Sequence, residues 1–446
     1  MQSSLEDRIV DRGGAQSLLY NSPGSPLAFP IAAEFSNWRD EQEAWRKSAI
    51  FQDMSFHMYD MLVEGPDVYQ LLSDLGINSF VSFGPMQAKQ YVVCNVDGNY
   101  VGDAILTCER ENEVHLVGLP NVANWVSFHL EKGNYDAKIA YIDKPSPKLS
   151  ERKLFRYQIQ GPHALSIMEE LNGGPVGGIG FFKMSQLNVG PYKVAALNHR
   201  MSGAPGFEIW GKSSVGIAVK KLIFEVGAKH GIRQIGGRNY PVTATESGWM
   251  GTALPAIYTG ESTKSYRKWL SPKSFEANAS IGGSLADGPL DDLYLTPYDM
   301  GYGFMIKFDH EFVGRRALES IAQKRSRKKV RLVWDAADAA AIQASMYGSE
   351  SPAKFMELPV AKYSTFQMDE VLAGNKRVGI SFNPVFSMNS RAWISLATLD
   401  EEYSKSGQSL RVTWGEPRGG SEKPSVERHV LKHVNVVVEA KAVHRD

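Results

Sequence analysis

A local pattern that occurs twice along this chain constrains its fold more than any other feature. A strand-like stretch leads into a Gly-Pro turn, and an amphipathic helical stretch follows the turn. The first copy covers residues 56–75 with its turn at Gly65-Pro66, and the second covers residues 155–171 with its turn at Gly161-Pro162. We interpret the repetition as an internal duplication of an α+β unit.

The segments around these two copies predict further strands and one linker. Residues 91–96 and 100–107 alternate on either side of Asp97-Gly98, a dipeptide that suits the tight turn of a β-hairpin. Residues 144–148 carry two prolines and predict a linker, because proline cannot donate to a strand ladder. From residue 321 onwards, strands separated by turns predict a C-terminal β-rich domain.

The overall charge and the cysteine content exclude several classes of protein. The 446 residues carry 49 Lys and Arg against 49 Asp and Glu, and this zero net charge argues against a nucleic-acid or anionic-membrane binder. The two cysteines, Cys94 and Cys108, exclude a disulfide scaffold and a cysteine-based metal site. The sequence shows neither a signal-peptide core nor a stretch of about 20 apolar residues, so we expect a cytoplasmic protein.

The common catalytic signatures are missing from the sequence. The ten histidines form neither HExxH nor HxH, and there is no GxSxG elbow. The glycine-rich stretch 173–180 fits neither GxGxxG nor a phosphate-binding loop, and it predicts the end of a helix followed by a loop. The sequence therefore predicts no metal site and none of the usual hydrolase sites.

One carboxylate stands out by its apolar surroundings. Glu208 lies between Phe207 and Ile209 in a strand-like stretch. A buried carboxylate is costly unless it is paired, so one interpretation is an ion pair with a neighbouring arginine. The other interpretation is a ligand that offers adjacent N–H donors on one planar edge, as a pterin ring does.

Several segments, taken in order, resemble the glycine-cleavage aminomethyltransferase family of tetrahydrofolate enzymes. Within that family the chain is more similar to the tetrahydrofolate-dependent aryl O-demethylases of bacterial lignin breakdown, which act on vanillate, 3-O-methylgallate and syringate. The segments that carry the resemblance are EFSNWR at 34–39, AKQ at 88–90, GD at 102–103, RYQIQGP at 156–162, GAPGFEIWG at 203–211, RNYP at 238–241, TESGW at 245–249, LPAIYTG at 254–260, IGGS at 281–284, FVGRRAL at 312–318 and WGE at 414–416.

The resemblance implies an α+β fold of three domains, arranged as an aminomethyltransferase-like cloverleaf around a central folate cavity. Because the family's chain enters the first domain, builds the second and then returns, we expect the first two domains to be discontinuous. The predicted divisions are residues 1–50 with 150–245 for a folate-binding α+β domain, 51–149 with 246–320 for a second α+β domain, and 321–446 for the C-terminal β-rich domain.

The implied reaction moves a methyl group from an aryl ether oxygen to N5 of tetrahydrofolate. An aryl oxide is a poor leaving group unless it is protonated, and the pKa of a tyrosine, about 10, matches that of a phenol. The resemblance assigns the proton donor to Tyr240 and a supporting role in the pocket to His57. The alternatives are a strand aromatic packed on Pro241 for the tyrosine and a satisfied core residue for the histidine.

The resemblance also assigns residues to the folate and to the methyl donor. Glu208 and Gln158 match the positions at the polar edge of the pterin, and Asp103 matches an acidic residue of the aminomethyltransferases. Aromatic walls suit a flat heterocycle, which stacks well on such rings. The walls expected around the folate are Phe181, Trp249 and Val117, and the expected donor pocket includes Phe29, Met54, Ser55 and Leu119.

Three positions of the expected donor pocket are less polar than in the vanillate-type enzymes. Leu119 stands where those enzymes carry an arginine that holds the substrate carboxylate, while Phe29 replaces a tyrosine and Met54 a glutamine. Arg200 in turn stands where the relatives carry a glycine. We therefore expect either a less polar methoxy-aromatic donor or one whose carboxylate is held elsewhere, with Arg200 and Arg238 as candidates.

Three other functions stay open at this stage. A glycine-cleavage aminomethyltransferase would act on a lipoyl protein, and a demethylase of a sulfonium or amine would need no aromatic pocket. A non-catalytic folate-binding protein of iron–sulfur maintenance would carry a Lys-Gly-Cys motif, to which neither cysteine belongs. The expected partners are a small methoxy-aromatic compound and tetrahydrofolate, without nucleic acid or membrane, and the sequence leaves the oligomeric state open.

Overall fold

The computed structural model describes residues 4–24, 30–176, 178–200, 203–251, 253–324 and 327–440. Its helices are, in chain order, α1 (Leu5–Asp11), α2 (Ala15–Tyr20), α3 (Trp38–Lys47), α4 (Val68–Leu75), α5 (Pro120–Lys132), α6 (Ala164–Asn172), α7 (Ser213–Gly227), α8 (Tyr240–Glu246), α9 (Lys264–Trp269), α10 (Phe275–Asn278), α11 (Arg315–Ala322) and α12 (Ala336–Ala344). Its strands are β1 (Ala49–Asp53), β2 (Tyr59–Glu64), β3 (Gln87–Cys94), β4 (Tyr100–Arg110), β5 (Glu113–Gly118), β6 (Lys138–Asp143), β7 (Leu154–Gln160), β8 (Met184–Val189), β9 (Tyr192–Asn198), β10 (Gly206–Lys212), β11 (Ile232–Gln234), β12 (Ile281–Gly282), β13 (Arg327–Trp334), β14 (Phe366–Ala373), β15 (Lys376–Ser387), β16 (Ala392–Asp400), β17 (Ser409–Trp414) and β18 (Lys432–Glu439).

These strands form three sheets. The first sheet has the order β11-β1-β7-β10-β9-β8, and the second has the order β3-β4-β5-β2-β6. The third sheet has the order β12-β14-β15-β16-β13-β18-β17, and β14 also pairs with β17, so that this sheet closes on itself. The α+β fold class and its C-terminal β-rich part, which were expected from the sequence, are therefore confirmed.

The first two sheets are built from the same succession of elements. Along the chain the second sheet uses β2, α4, β3, β4, β5, α5 and β6, and the first uses β7, α6, β8, β9, β10, α7 and β11. Equivalent strands also take equivalent places, except that β1 is inserted between β11 and β7 in the first sheet. The structure thus confirms the internal duplication.

The Gly-Pro turn of each copy depends on its glycine. Gly65 and Gly161 have φ angles of +134° and +128°, a region that favours glycine. A Cβ atom on Gly65 would lie 2.5 Å from the Asp136 carbonyl oxygen, and one on Gly161 would lie 2.6 Å from that of Ser48. In both copies the missing side chain lets the chain turn against a neighbouring backbone and start the helix.

The N-terminal helices pack differently from the expected grouping of residues 1–50 with the folate-binding domain. Both α1 and α2 bury apolar side chains in the core that covers the second sheet. The Leu5 N–H donates to the Leu270 carbonyl oxygen at 2.9 Å, and Arg267 Nε donates to Glu6 Oε2 at 2.5 Å. These long-range contacts draw the N-terminus to α9. The predicted domain boundaries as a whole stay a prediction.

Several local predictions agree with the structure, and one strand starts later than expected. The hairpin around Asp97-Gly98 corresponds to β3 and β4, and residues 144–148 contain neither helix nor strand. The strand expected from residue 56 begins only at Tyr59, because residues 55–57 form a turn. None of the described helices has the length and apolar character that crossing a bilayer requires.

We expect Gly161→Ala to lower the free energy of unfolding by about 2 kcal/mol or more, because the new Cβ meets the Ser48 carbonyl oxygen at an unfavourable φ. Urea unfolding of the variant and the wild type measures the difference. Gly174→Ala is the control, since a Cβ there has no atom within 4 Å. Equally small effects in both variants would contradict the role of the turn.

Candidate functional site

A cavity of about 490 Å³ lies where elements of all three sheets meet. Strands β4, β7 and β10, helix α8 and the segment 357–383 contribute to its wall. Ten of the twelve predicted site residues line this cavity: Met54, His57, Asp103, Val117, Leu119, Gln158, Phe181, Glu208, Tyr240 and Trp249. The fold therefore brings together side chains that are far apart in the sequence.

The two other predicted site residues are Phe29 and Ser55. Phe29 lies outside the described residues. Ser55, which we expected in the donor pocket, is fully buried, and its Oγ accepts the Arg156 N–H at 2.9 Å and donates to the Arg156 carbonyl oxygen at 3.3 Å. The expectation for Ser55 is wrong, because its hydroxyl joins the end of β1 to β7 instead of lining the cavity.

Gln158 and Glu208 form a polar edge of the cavity. They are directly opposite each other in the pairing of β7 with β10, and Gln158 Nε2 donates to Glu208 Oε2 at 2.9 Å. The same Nε2 lies 3.5 Å from His199 Nδ1. The buried Oε1 of Gln158 has no hydrogen-bond partner within the described ranges. This edge therefore keeps acceptor capacity for a ligand with adjacent N–H groups.

Arg156 supplies the ion pair that the sequence left open for Glu208. Its Nη1 donates to Glu208 Oε1 at 2.6 Å, and its Nη2 donates to Asp60 Oδ2 at 2.9 Å. Burial alone would raise the pKa of the Glu208 carboxyl, but Arg156, His199 and the hydrogen bond from Gln158 together outweigh burial and lower this pKa. Glu208 is thus both ion-paired and part of the cavity wall, so the two interpretations do not exclude each other.

The ion pair continues away from the cavity to the second sheet. His115 Nδ1 lies 2.6 Å from Asp60 Oδ1, which completes the chain His115, Asp60, Arg156 and Glu208. Burial opposes ionisation of Asp60, but His115 and Arg156 more than compensate and lower its pKa to about 2. Each carboxylate of this chain is therefore charged at neutral pH in spite of its burial.

Tyr240 and His57 lie against each other in the cavity wall. Tyr240 is the first residue of α8. The alternative interpretation, in which Tyr240 is an aromatic residue of a strand, is therefore wrong. The preceding Asn239 fixes α8 to α3, because its Nδ2 donates to Glu41 Oε2 at 2.8 Å and its Oδ1 accepts from Gln42 Nε2 at 3.0 Å. The rings of Tyr240 and His57 meet edge to face, with centroids 4.7 Å apart.

The surroundings of this pair set its protonation states. Burial raises the pKa of the Tyr240 hydroxyl, and the charge of Glu208 raises it further. Burial lowers the pKa of the His57 imidazole to about 3, and the nearby Arg152 charge adds to this effect. At neutral pH the site therefore contains a protonated phenol beside an uncharged imidazole, which is the state required of a proton donor.

Asp103 is the centre of a hydrogen-bond network that holds one wall of the cavity. Its Oδ1 accepts from the Tyr100 hydroxyl at 2.6 Å, and its Oδ2 accepts from Gln90 Nε2 at 2.7 Å. Its Oδ2 also accepts from Trp249 Nε1 at 2.8 Å and from the Tyr302 hydroxyl at 3.2 Å. In this structure Asp103 orients the indole of Trp249, the expected aromatic wall.

Sequence reasoning missed several lining residues. Arg156 could have been found, because it lies two positions before Gln158 in one strand and alternate residues share a face. The residues from the C-terminal half gave no such signal, since they reach the cavity only through tertiary packing. The lining residues that were missed include Met58, Phe182 and His199 from the N-terminal half, and Leu358, Val360, Lys362 and Asn383 from the C-terminal half. Among the described residues, no three His, Cys, Asp or Glu side chains converge as a metal site requires.

Comparisons with known proteins decide the family. Residues 8–253 match the GCVT N-terminal domain family. The chain is 37% identical over 440 residues to a syringate O-demethylase from Sphingobium sp., a match that covers 98% of this chain and 95% of that protein. The chain belongs to the GCVT family.

Two further relatives of this GCVT chain show how far the likeness extends. A sesamin methylene transferase from Sinomonas sp. is 26% identical over 375 residues, with 81% of this chain and 80% of that protein covered. The crystal structure of glycine cleavage system aminomethyltransferase T from Bartonella henselae superposes with a TM-score of 0.61 at 16% identity, with 94% and 93% of the two chains covered. At that identity the match shows a shared fold.

We expect Asp60→Asn to lower the free energy of unfolding at pH 7 by about 3 kcal/mol, because it removes the buried carboxylate that pairs with His115 and one of the two buried carboxylates that pair with Arg156. The pKa of Asp60 is lowered to about 2 in the folded protein, so its contribution is complete above pH ~4 and is lost as the pH falls towards 2. Urea unfolding at several pH values should show the difference between variant and wild type shrinking over that interval.

Glu113→Gln is the matched control for this prediction. Glu113 lies on β5 beside His115 and pairs with Arg110 at 3.3 Å on the surface, where the arginine side chain is 77% exposed. Such surface pairs contribute about 0–1 kcal/mol, so this variant should remain close to the wild type at pH 7. A difference for Asp60→Asn that did not change between pH 5 and pH 2.5 would contradict the ion-pair chain.

Proposed function

We propose that this GCVT protein is a tetrahydrofolate-dependent O-demethylase, which transfers the methyl group of a methoxy-aromatic compound to N5 of tetrahydrofolate and releases a phenol and 5-methyltetrahydrofolate. The observation that carries the proposal is a single cavity that joins a buried, protonated phenol at Tyr240 to an ionised polar edge at Glu208 and Gln158. The likeness to a syringate O-demethylase over 98% of the chain supports an aryl ether as the donor.

The residues of the cavity suit tetrahydrofolate. The free acceptor of Gln158 and the remaining lone pairs of Glu208 match the amino and ring N–H groups along a pterin edge. Trp249 and Phe181 offer aromatic surfaces for the flat heterocycle, and Val117 adds an apolar wall. When bound there, tetrahydrofolate supplies N5, the nitrogen that accepts the methyl group.

The remaining part of the wall suits the aromatic donor. Met54, Met58 and Leu119 are apolar, and they line the cavity together with the Tyr240 and His57 pair. An apolar wall favours the ring and the methyl group of a methoxyarene over water. Leu119 has no donor for a carboxylate, so this part of the cavity contributes no charge-assisted hydrogen bond to a benzoate.

Tyr240 is the proton donor of the proposed reaction. The bond between the methyl carbon and the ether oxygen breaks as the methyl group passes to the acceptor nitrogen, and the Tyr240 hydroxyl donates its proton to the developing aryl oxide, which leaves as a phenol. The proton that the acceptor nitrogen loses on methylation restores the Tyr240 hydroxyl, so the reaction balances. The aryl oxide develops in the same buried surroundings near Glu208. These surroundings raise the pKa of Tyr240, and they raise the basicity of the aryl oxide in the same way. The proton affinities of the two phenols therefore stay matched, while His57 packs on the Tyr240 ring and orients it.

The direct test incubates the protein with tetrahydrofolate and a panel of methoxyarenes, and it follows 5-methyltetrahydrofolate and the released phenol by liquid chromatography with mass detection. We expect both products in equal amounts with at least one methoxyarene. A dimethylsulfonium compound, a methylated amine and a methylenedioxyarene serve as comparison donors. Product from a sulfonium or amine donor alone, or no product from any ether, would contradict the proposal.

We expect Tyr240→Phe to lower kcat by about 10²-fold or more, because the aryl oxide then leaves without a positioned proton donor. The dissociation constant for tetrahydrofolate should change less than about twofold, which also verifies that the variant is folded. Tyr347→Phe is the matched control, since Tyr347 is 92% exposed and outside the cavity wall. An unchanged kcat in Tyr240→Phe would exclude Tyr240 as the acid.

A further inference from the structure

One arginine of the cavity wall differs from the others in its partners. Arg156 pairs with Glu208 and Asp60, as described above. Arg238 also has acidic partners, because its Nη1 lies 2.7 Å from Glu34 Oε1 and its Nη2 lies 3.3 Å from Glu357 Oε1.

Arg200 has no such partner. Its side chain forms neither an ion pair nor a hydrogen bond with any residue that the structure describes. Its contact is with the ring of Phe181, whose centroid lies 5.7 Å from the guanidinium carbon. Both side chains line the cavity, and Phe181 is 56% exposed, so they lie at its open side.

The contact with Phe181 leaves the hydrogen-bonding groups of Arg200 available. A guanidinium that packs over a ring uses its face, whereas its N–H donors lie along its edge. A ligand that fills the cavity takes water away from these donors. Removing water from a charged group is costly unless the ligand supplies a partner of opposite charge, and a carboxylate matches the guanidinium edge with two parallel hydrogen bonds.

The rest of the wall limits where a ligand carboxylate can be placed. At one edge the ionised Glu208 repels it, and along Met54, Met58 and Leu119 it would face apolar groups. We propose that Arg200 binds a ligand carboxylate at the open side of the cavity and thereby selects carboxylated over carboxylate-free ligands. This inference rests on the proposed function, which offers two sources of that group: an aromatic acid as methyl donor, or the glutamate portion of tetrahydrofolate.

The test compares ligand pairs that differ in the carboxylate. Vanillate is paired with guaiacol, and tetrahydrofolate is paired with methyltetrahydropterin, which lacks the aminobenzoyl-glutamate. Dissociation constants are measured by calorimetry for the wild type, for Arg200→Met and for Arg233→Met. Methionine keeps much of the length that covers Phe181. Arg233 pairs with Asp40 on the surface at 2.9 Å and is outside the cavity wall, so its variant controls for the change in net charge.

We expect Arg200→Met to weaken binding of a carboxylated ligand about tenfold and to change binding of its carboxylate-free counterpart less than twofold. Selective loss for vanillate assigns the carboxylate to the methyl donor, and selective loss for tetrahydrofolate assigns it to the folate. Equal losses for both members of each pair, or losses matched by Arg233→Met, would overturn the role of Arg200. Wild-type protein that binds neither pterin would instead contradict the proposed function itself.

Discussion

The two sheets and the cavity depend on the buried guanidinium of Arg156. It is 3% exposed, and it binds Glu208 within its own sheet and Asp60 from the other sheet. A buried charge that lost these partners would cost several kcal/mol, so the contact fixes how the sheets meet. The same charge keeps Glu208 ionised at the polar edge of the cavity. The packing of the duplicated units and the chemistry of the site are therefore set by one interaction.

The duplication explains where this interaction comes from. Asp60 and Arg156 occupy equivalent positions, each five residues before the glycine of its Gly-Pro turn. Their neighbours His115 and Glu208 are also equivalent, because β5 pairs with β2 in the same register as β10 with β7. The first copy thus has an acid, Asp60, on its first strand and a base, His115, on the neighbouring strand. The second copy has the base, Arg156, on its first strand and the acid, Glu208, on the neighbouring strand. Opposite charges at equivalent positions join the two copies and leave one acid in the cavity wall.

The sequence predicted the parts of this arrangement that depend on short-range signals. The Gly-Pro turns, the hairpin and the carboxylate in an apolar strand are local patterns, and the resemblance added Tyr240 at the start of a helix that we had not identified. The prediction for Ser55 was wrong because the direction of a side chain just after a strand depends on how the backbone turns there, and residues 55–57 form a turn. The position of Lys362 depends on how the third sheet packs against α8, and no local pattern carries that information.

The charge of Glu208 links binding to proton transfer in the proposed reaction. Ionised, it offers acceptors to the pterin edge and also raises the pKa of the Tyr240 hydroxyl, so that the phenol keeps its proton until the aryl oxide forms. A neutral acid in its place would weaken both effects together. Arg156 maintains that charge against the cost of burial, and Asp60 and His115 stabilise Arg156 from the other sheet. A residue outside the cavity wall, Asp60, therefore helps to set the protonation state of the groups inside it.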